Sequence, residues 1–220
     1  MSAANLTGEH AMQGRLPADR TRVKLCGMTR AEDIEVVNEA RPDFVGFVVD
    51  VPGSRRSVSC HEFERLSALV DPGIGRVGVF VDEPVSVIAR LYEARILDYV
   101  QLHGHEDEEY LARLRQLCPV AIMKAFVVRS AEDVELAQHS TANLVLLDNG
   151  KGTGKAFDWT LVRRLRRPFF LAGGLGPQNV ARAIAEVRPW GVDMSSGIET
   201  DGRKDPDKIR AAVAAVRHGY

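Results

Sequence analysis

Residues 23–29 of the chain are Val-Lys-Leu-Cys-Gly-Met-Thr, an almost continuously apolar run that ends in a cysteine and a glycine. Such a run is typical of a parallel strand that is buried on both faces. A segment with the apolar periodicity of an amphipathic helix follows it at residues 31–40. The same unit, a short β-rich run and then a helical segment, recurs to the end of the chain. This repetition indicates an α/β fold with parallel strands.

The β-rich runs begin near Val23, Phe44, Val77, Val100, Ile122, Leu144, Phe169 and Val192. Helices are predicted at residues 31–40, 61–70, 85–94, 108–117, 131–138, 158–165, 179–187 and 206–217. Eight strands that are each followed by a helix favour a closed parallel (β/α)8 TIM barrel over an open doubly wound sheet. In that α/β fold, the carboxyl ends of all strands open onto one rim, where side chains distant in sequence can act together.

Composition predicts a single domain, which we place at residues 21–220. The chain has 220 residues, of which 45% are hydrophobic and 27% are charged, enough for one sizeable core. Residues 1–20 lack the apolar region of a signal peptide and are interpreted as a flexible tail.

Charge and cysteine usage restrict the partners. A formal net charge of −1 and the lack of an apolar run of about 20 residues argue against nucleic-acid and membrane partners. The three cysteines form neither a close pair nor a zinc pattern, so we expect a reducing, cytoplasmic location.

Two strand ends carry candidate catalytic groups. Cys26 ends the first strand, and Asp148 ends the run at residues 143–147. A carboxyl group at the edge of a low-dielectric interior is suited to donating a proton, although Asp148 could instead cap the following loop. Lys24 shares a strand face with Cys26, so it either favours a thiolate or only fills the barrel interior.

A phosphate site is predicted at the last two strand ends. Gly173 and Gly174 end the seventh strand, and Ser196 and Gly197 follow the eighth. Barrel enzymes frequently bind phosphate at this pair of loops, because residues without side chains leave backbone N–H groups accessible. Turns alone would also explain the glycines.

Three further side chains are candidate ligands at the rim. Arg56 follows the second strand and could bind a carboxylate with two hydrogen bonds, or it could be solvated on a loop. Gln101 and His103 share one face of the fourth strand, where His103 either contacts the ligand or caps the strand. The glycine-rich segment 149–155 lacks the spacing of a nucleotide-binding loop and is expected to close over a substrate instead.

Taken together, these motifs resemble the phosphoribosylanthranilate isomerase family. The similarity runs from about residue 22 to the C-terminus. The matching blocks are residues 24–29, 55–58, 77–81, 100–104, 146–148, 152–159, 172–175 and 192–199. The chain departs from the family pattern at Arg55, where proline or lysine is frequent, and at Lys151, where another glycine is common.

The resemblance implies a reaction of tryptophan biosynthesis, the Amadori rearrangement of N-(5′-phosphoribosyl)anthranilate to 1-(2-carboxyphenylamino)-1-deoxyribulose 5-phosphate. It implies Asp148 as general acid, Cys26 as general base and Arg56 as the residue that binds the anthranilate carboxylate. It also implies a phosphate site at the last two strand ends and no cofactor or metal. The expected assembly is a monomer or a homodimer.

Two alternatives stay open at this stage. A related phosphosugar isomerase of histidine synthesis, or an enzyme that accepts both substrates, would share the barrel. The family of the histidine-pathway enzyme, however, resembles a pattern with aspartate in place of Cys26. A sensor that binds a phosphorylated ligand without turnover would share the fold, since a fold alone does not guarantee activity.

Overall fold

Eight strands and the helices that follow them alternate along the chain in this computed structural model, which describes residues 20–150 and 159–218. The barrel strands are β1 (Arg22–Cys26), β2 (Phe44–Val49), β3 (Gly75–Phe80), β4 (Tyr99–Leu102), β5 (Ala121–Val127), β6 (Leu144–Asp148), β7 (Phe169–Leu171) and β8 (Gly191–Met194). The helices are α1 (Ala31–Ala40), α2 (Cys60–Ser67), α3 (Val85–Glu93), α4 (Glu108–Leu117), α5 (Ala131–His139), α6 (Trp159–Val162), α7 (Val180–Val187) and α8 (Pro206–His218).

The sheet closes because β1 pairs with both β2 and β8. All pairings between barrel strands are parallel. In the register, Cys26 lies opposite Gly46, and Lys24 lies opposite Asp193. The prediction of a (β/α)8 barrel is therefore confirmed, and each strand begins at the predicted residue or one or two residues before it.

Local capping accounts for the small differences in helix bounds. The prediction placed α2 at 61–70, whereas the helix begins at Cys60, because the side chain of Ser59 accepts a hydrogen bond from the N–H of Glu62 and caps the helix. Beyond Ser67, the chain continues with turns in which Leu69 N–H and Val70 N–H each donate to the carbonyl three residues back. The helix predicted at 158–165 is observed as α6, and Asp158, its predicted cap, lies outside the described residues.

Strand alternation divides the core into two layers. The outer layer lies between the strands and the helices, and residues such as Leu25 and Val145 pack there. The inner layer fills the barrel with Phe44, Val77, Met123 and other side chains. At the end of the barrel where the strands begin, aromatic rings close the interior. The ring contacts are Phe44–Tyr99 at 5.2 Å, Phe44–Phe170 at 5.7 Å and Phe170–Trp190 at 5.3 Å between centroids. The aromatic cluster therefore fills the end of the barrel opposite the carboxyl ends of the strands, where the candidate residues lie.

At the N-terminal side, the described chain begins at Arg20, whose guanidinium contacts Asp43 at 2.9 Å. The remainder of the predicted tail lies outside the described residues. Among residues 20–150 and 159–218, no helix combines the length with the apolar composition that spanning a bilayer requires.

Candidate active site

Cys26 is the last residue of β1, and its thiol is buried in the barrel interior. Its relative exposure is 7%. Burial raises the pKa of the Cys26 thiol above its usual value, and the neighbouring ammonium of Lys24 acts in the opposite direction. The thiol is therefore protonated at neutral pH in the free protein, and it has one close cation that favours its ionised form.

Lys24 and Asp193 form an ion pair inside the barrel. The Lys24 Nζ lies 2.9 Å from Asp193 Oδ1 and 3.0 Å from Oδ2. Burial by itself would lower the pKa of Lys24, but Asp193 and Cys26 more than offset that effect and raise the pKa above its ordinary value. Lys24 thus stays charged within a barrel of apolar side chains.

Asp148 ends β6 at the open rim and is partly exposed. Its Oδ1 accepts a hydrogen bond from the N–H of Gly150 at 3.1 Å, so the carboxylate does cap the following loop. Its Oδ2 lies 3.8 Å from Nε2 of His103. One oxygen is therefore held by the backbone while the other faces a titratable ring.

Gln101 and His103 point to the same side of β4, as their spacing predicts. The amide nitrogen Nε2 of Gln101 lies 3.0 Å from Nδ1 of His103. Burial lowers the pKa of His103, with Asp148 opposing it, so the ring is neutral at pH 7. The amide nitrogen of Gln101 donates this hydrogen bond, so Nδ1 of His103 accepts it. The ring proton of His103 therefore lies on its Nε2, which faces Asp148. Gln101 is itself buried, and it contacts His103, which lies at the rim.

Arg56 binds a carboxylate in this structure, and that carboxylate is the protein's own Glu199. Nε of Arg56 donates to Oε1 at 2.6 Å, and Nη2 donates to Oε2 at 2.9 Å. Lys204 contacts the same Oε1 at 2.8 Å, and Arg55 contacts Oε2 at 2.7 Å. Within the described part of the chain, Nη1 of Arg56 makes no hydrogen bond, so one edge of the guanidinium remains for a ligand.

The loops after β7 and β8 meet backbone to backbone. A Cβ on Gly197 would lie 2.0 Å from the carbonyl oxygen of Leu175, so only glycine permits this approach. Gly173 and Gly174 have φ angles of 91° and 68°. Ser196 begins a short 3₁₀-helix, in which the first N–H groups have no acceptor within the helix. The four predicted residues thus lie on two adjoining loops at the same end of the barrel.

The family model that matches the chain is that of N-(5′-phosphoribosyl)anthranilate isomerase, and it covers residues 23–215. The chain belongs to this family. The isomerase of Endomicrobium trichonymphae is 40% identical over 201 residues, which are 89% of this chain and 98% of the relative. The crystal structure of phosphoribosyl anthranilate isomerase from Thermotoga maritima has a TM-score of 0.80 and 37% identity, and the match covers 90% of this chain and 98% of that one.

A further solved structure of a phosphoribosyl anthranilate isomerase contains reduced 1-(o-carboxyphenylamino)-1-deoxyribulose 5-phosphate. Its TM-score is 0.78 at 36% identity, and the match covers 90% of this chain and 98% of that one. That relative therefore binds a phosphorylated sugar that carries a carboxyphenyl group.

Sequence reasoning missed three charged residues of this isomerase barrel: Asp193, Glu199 and Lys204. A signal for Asp193 was present, because an acidic residue inside the apolar run of β8 matches a lysine inside the apolar run of β1, and those strands adjoin in a closed barrel. No comparable signal existed for Glu199 and Lys204. They belong to a short antiparallel pair of strands, Glu199–Thr200 and Arg203–Lys204, beyond the barrel.

Proposed function

We propose that the chain catalyses the Amadori rearrangement of N-(5′-phosphoribosyl)anthranilate to 1-(2-carboxyphenylamino)-1-deoxyribulose 5-phosphate in tryptophan biosynthesis. Membership of the isomerase family carries this proposal. The placement of Cys26 and Asp148 at the carboxyl ends of β1 and β6 supports it, because parallel strands of one barrel bring those ends to the same mouth.

Asp148 acts as the general acid in this proposal. It protonates the ring oxygen of the ribose, the C1′–O bond breaks, and the anthranilate nitrogen forms a Schiff base with C1′. The backbone N–H of Gly150 holds one carboxyl oxygen, which leaves the other to approach the sugar. A positioned carboxylic acid contributes about 10²- to 10⁴-fold to such a step.

Cys26 acts as the general base. Its thiolate removes the proton from C2′. The electron pair of that C–H bond forms the C1′–C2′ double bond while the π pair of the C1′–N double bond moves to the nitrogen, which gives an enolamine. The enolamine then tautomerises to the ketone as C1′ gains a proton. Each proton that is removed is replaced elsewhere in the product, so the chemistry is a net isomerisation that consumes no redox equivalents.

The two ends of the substrate have separate binding groups in this proposal. The free edge of Arg56 binds the anthranilate carboxylate, while Glu199 fixes the opposite edge of the guanidinium. Backbone N–H groups of the adjoining loops at Gly173, Gly174, Ser196 and Gly197 bind the phosphate. His103 lines the mouth beside Asp148, and the buried Gln101 orients its ring for the substrate through their hydrogen bond. We place the enzyme in the cytoplasm, as a monomer or homodimer without a macromolecular substrate.

A turnover assay tests this function. Freshly prepared phosphoribosylanthranilate is mixed with the wild-type chain, and loss of the anthranilate-type fluorescence is followed as product forms. Rapid conversion supports the proposal. Binding without conversion would instead identify a sensor, and conversion of the aminoaldose of histidine synthesis alone would identify the related isomerase.

A further inference from the structure

Lys24 and Cys26 share one small space above Gly46 of β2. A Cβ built on Gly46 would lie 2.8 Å from the Sγ of Cys26 and 3.0 Å from the Nζ of Lys24. Glycine within a strand weakens it, because the residue loses more conformational freedom and packs no side chain. Here the missing side chain is what allows the thiol and the ammonium to lie side by side.

We propose that Lys24 is a positioning residue for Cys26, and that its ammonium, anchored by Asp193, stabilises the thiolate that removes the C2′ proton. The catalytic part of this inference rests on the proposed function, in which Cys26 is the base. Its electrostatic part does not, because the ionisation of the thiol can be measured without substrate.

The anchor explains why the ammonium stays charged. An isolated lysine in an apolar interior tends to lose its proton, because burial disfavours the charged form. Both carboxylate oxygens of Asp193 contact Nζ, and Lys24 and Asp193 are directly opposite in the pairing of β1 with β8. Because β1 pairs with β8 in the closed barrel, the charged ammonium of Lys24 lies beside Cys26.

Four charged groups act on the thiol, and they differ in sign and origin. Lys24 on β1 favours the thiolate most strongly, and Asp193 on β8 disfavours it. Lys204, beyond β8, and Arg56, beyond β2, are more weakly coupled cations. Both of these are also bound to Glu199, whose negative charge offsets theirs. Lys24 is therefore the dominant cation for Cys26.

The test uses the variant C60S/C118S, in which Cys26 is the only thiol. The ¹³Cβ resonance of labelled Cys26 is followed from about pH 7 to about pH 12, because burial already raises the pKa of this thiol and loss of the cation should raise it further. In this background K24M removes the cation, K24R keeps it, and K124M removes the buried strand lysine of β5 that pairs with Glu106. K124M is the matched control, since it also breaks a buried ion pair.

We expect K24M to raise the midpoint of thiol ionisation by about 1 to 3 pH units, the usual effect of one close opposite charge. K24R should stay close to wild type, and K124M should not move the midpoint. In turnover, kcat/KM of K24M at neutral pH should fall about tenfold for each unit of that shift, with recovery at higher pH.

The proposal is overturned by a K24M midpoint equal to that of wild type, by an equal shift in K124M, or by a wild-type thiol that does not titrate up to the highest pH. If K24M does not fold, K24M/D193N removes the unpaired carboxylate as well. Its midpoint should still rise, because Lys24 affects the thiol more than Asp193 does. Failure of the proposed function would look different: the titrations would hold while wild type showed no turnover.

Discussion

Lys24 and Lys124 are both buried lysines on barrel strands, yet they lie in different layers of the molecule. Lys24 of β1 points into the barrel, where its ion pair with Asp193 adjoins the Cys26 thiol. Lys124 of β5 points outward and contacts Glu106 at 2.7 Å and the carbonyl of Gly104 at 2.8 Å. Both lysines are therefore buried and ion-paired, and they differ in the face of the strand from which their side chains project.

The ion pair of Lys124 and Glu106 holds two loops together. Glu106 also accepts hydrogen bonds from the backbone N–H of Asp82 at 2.8 Å and of Gly104 at 2.9 Å, so Lys124 and Glu106 join the segments after β3 and β4. The inner pair joins two adjacent strands and touches the candidate base. The two ion pairs therefore differ in what they adjoin: the inner pair lies beside the Cys26 thiol, whereas the outer pair connects loops.

The largest expected effect tests the inner layer directly. C26A and D148N should each lower kcat by about 10²- to 10⁴-fold, because each removes one proton transfer. C118A is the control, since Cys118 is buried in the outer layer. Steady-state kinetics with phosphoribosylanthranilate, together with circular dichroism to confirm folding, provides the measurement. Near wild-type turnover in either variant would remove that residue from the mechanism.

The second effect tests the outer layer. K124M leaves the Glu106 carboxylate buried without its partner, which should lower the free energy of unfolding by about 3 to 5 kcal/mol. Urea denaturation measures this loss. K124M/E106Q should recover part of it, because the unpaired charge is removed. A K124M variant as stable as wild type but with reduced turnover would show that Lys124 serves the reaction and not the fold.

A smaller effect concerns the two arginines on Glu199. R56A should raise KM about 10- to 100-fold, the range for one lost charge-assisted interaction of about 1.5 to 3 kcal/mol. R55A should change KM less than about fivefold, because its side chain is 58% exposed and exposed ion pairs contribute about 0 to 1 kcal/mol. Initial rates over a range of substrate concentrations separate the two. Equal KM values for both variants would argue against Arg56 as the carboxylate ligand.

The smallest effect is a pH dependence of stability. Burial by itself would raise the pKa of Glu199, but Arg56 and Lys204 outweigh it and hold the pKa below its ordinary value of 4.5. Glu199 therefore stabilises the fold above about pH 4.5, and this contribution is lost as the pH falls through the lower folded-state value. E199Q should show a shallower loss of unfolding free energy between about pH 5 and pH 3. Parallel curves for wild type and E199Q would contradict the prediction.

The elements of the barrel were predictable because their signals are local. Two kinds of local pattern carry these signals: the apolar runs that form β1 and β6, and the helical periodicity of α1 and α4. Both depend only on residues that are close together in the sequence. For the same reason, Cys26 and Asp148 could be assigned to strand ends from their own segments. The roles proposed for these two residues stay predictions.

The contacts that surround the candidate site residues were less predictable from the sequence. Arg56 was expected to bind the substrate's carboxylate, and nothing in its own segment indicated that Glu199 holds one edge of its guanidinium. Gln101 was expected to bind the substrate, which stays a prediction, and its contact with the ring of His103 was not expected. Both contacts depend on side-chain directions that neighbouring elements determine.

The order of strands and helices, the closed barrel and the residues at its rim can be read from the sequence, since local periodicity and the alternation of faces encode them. The pairing of charges inside the barrel is visible only in the folded chain. Lys24 and Asp193 are 169 positions apart, and they pair because closure of the barrel brings β8 beside β1. Such a contact depends on the register of the whole sheet, which no single segment contains.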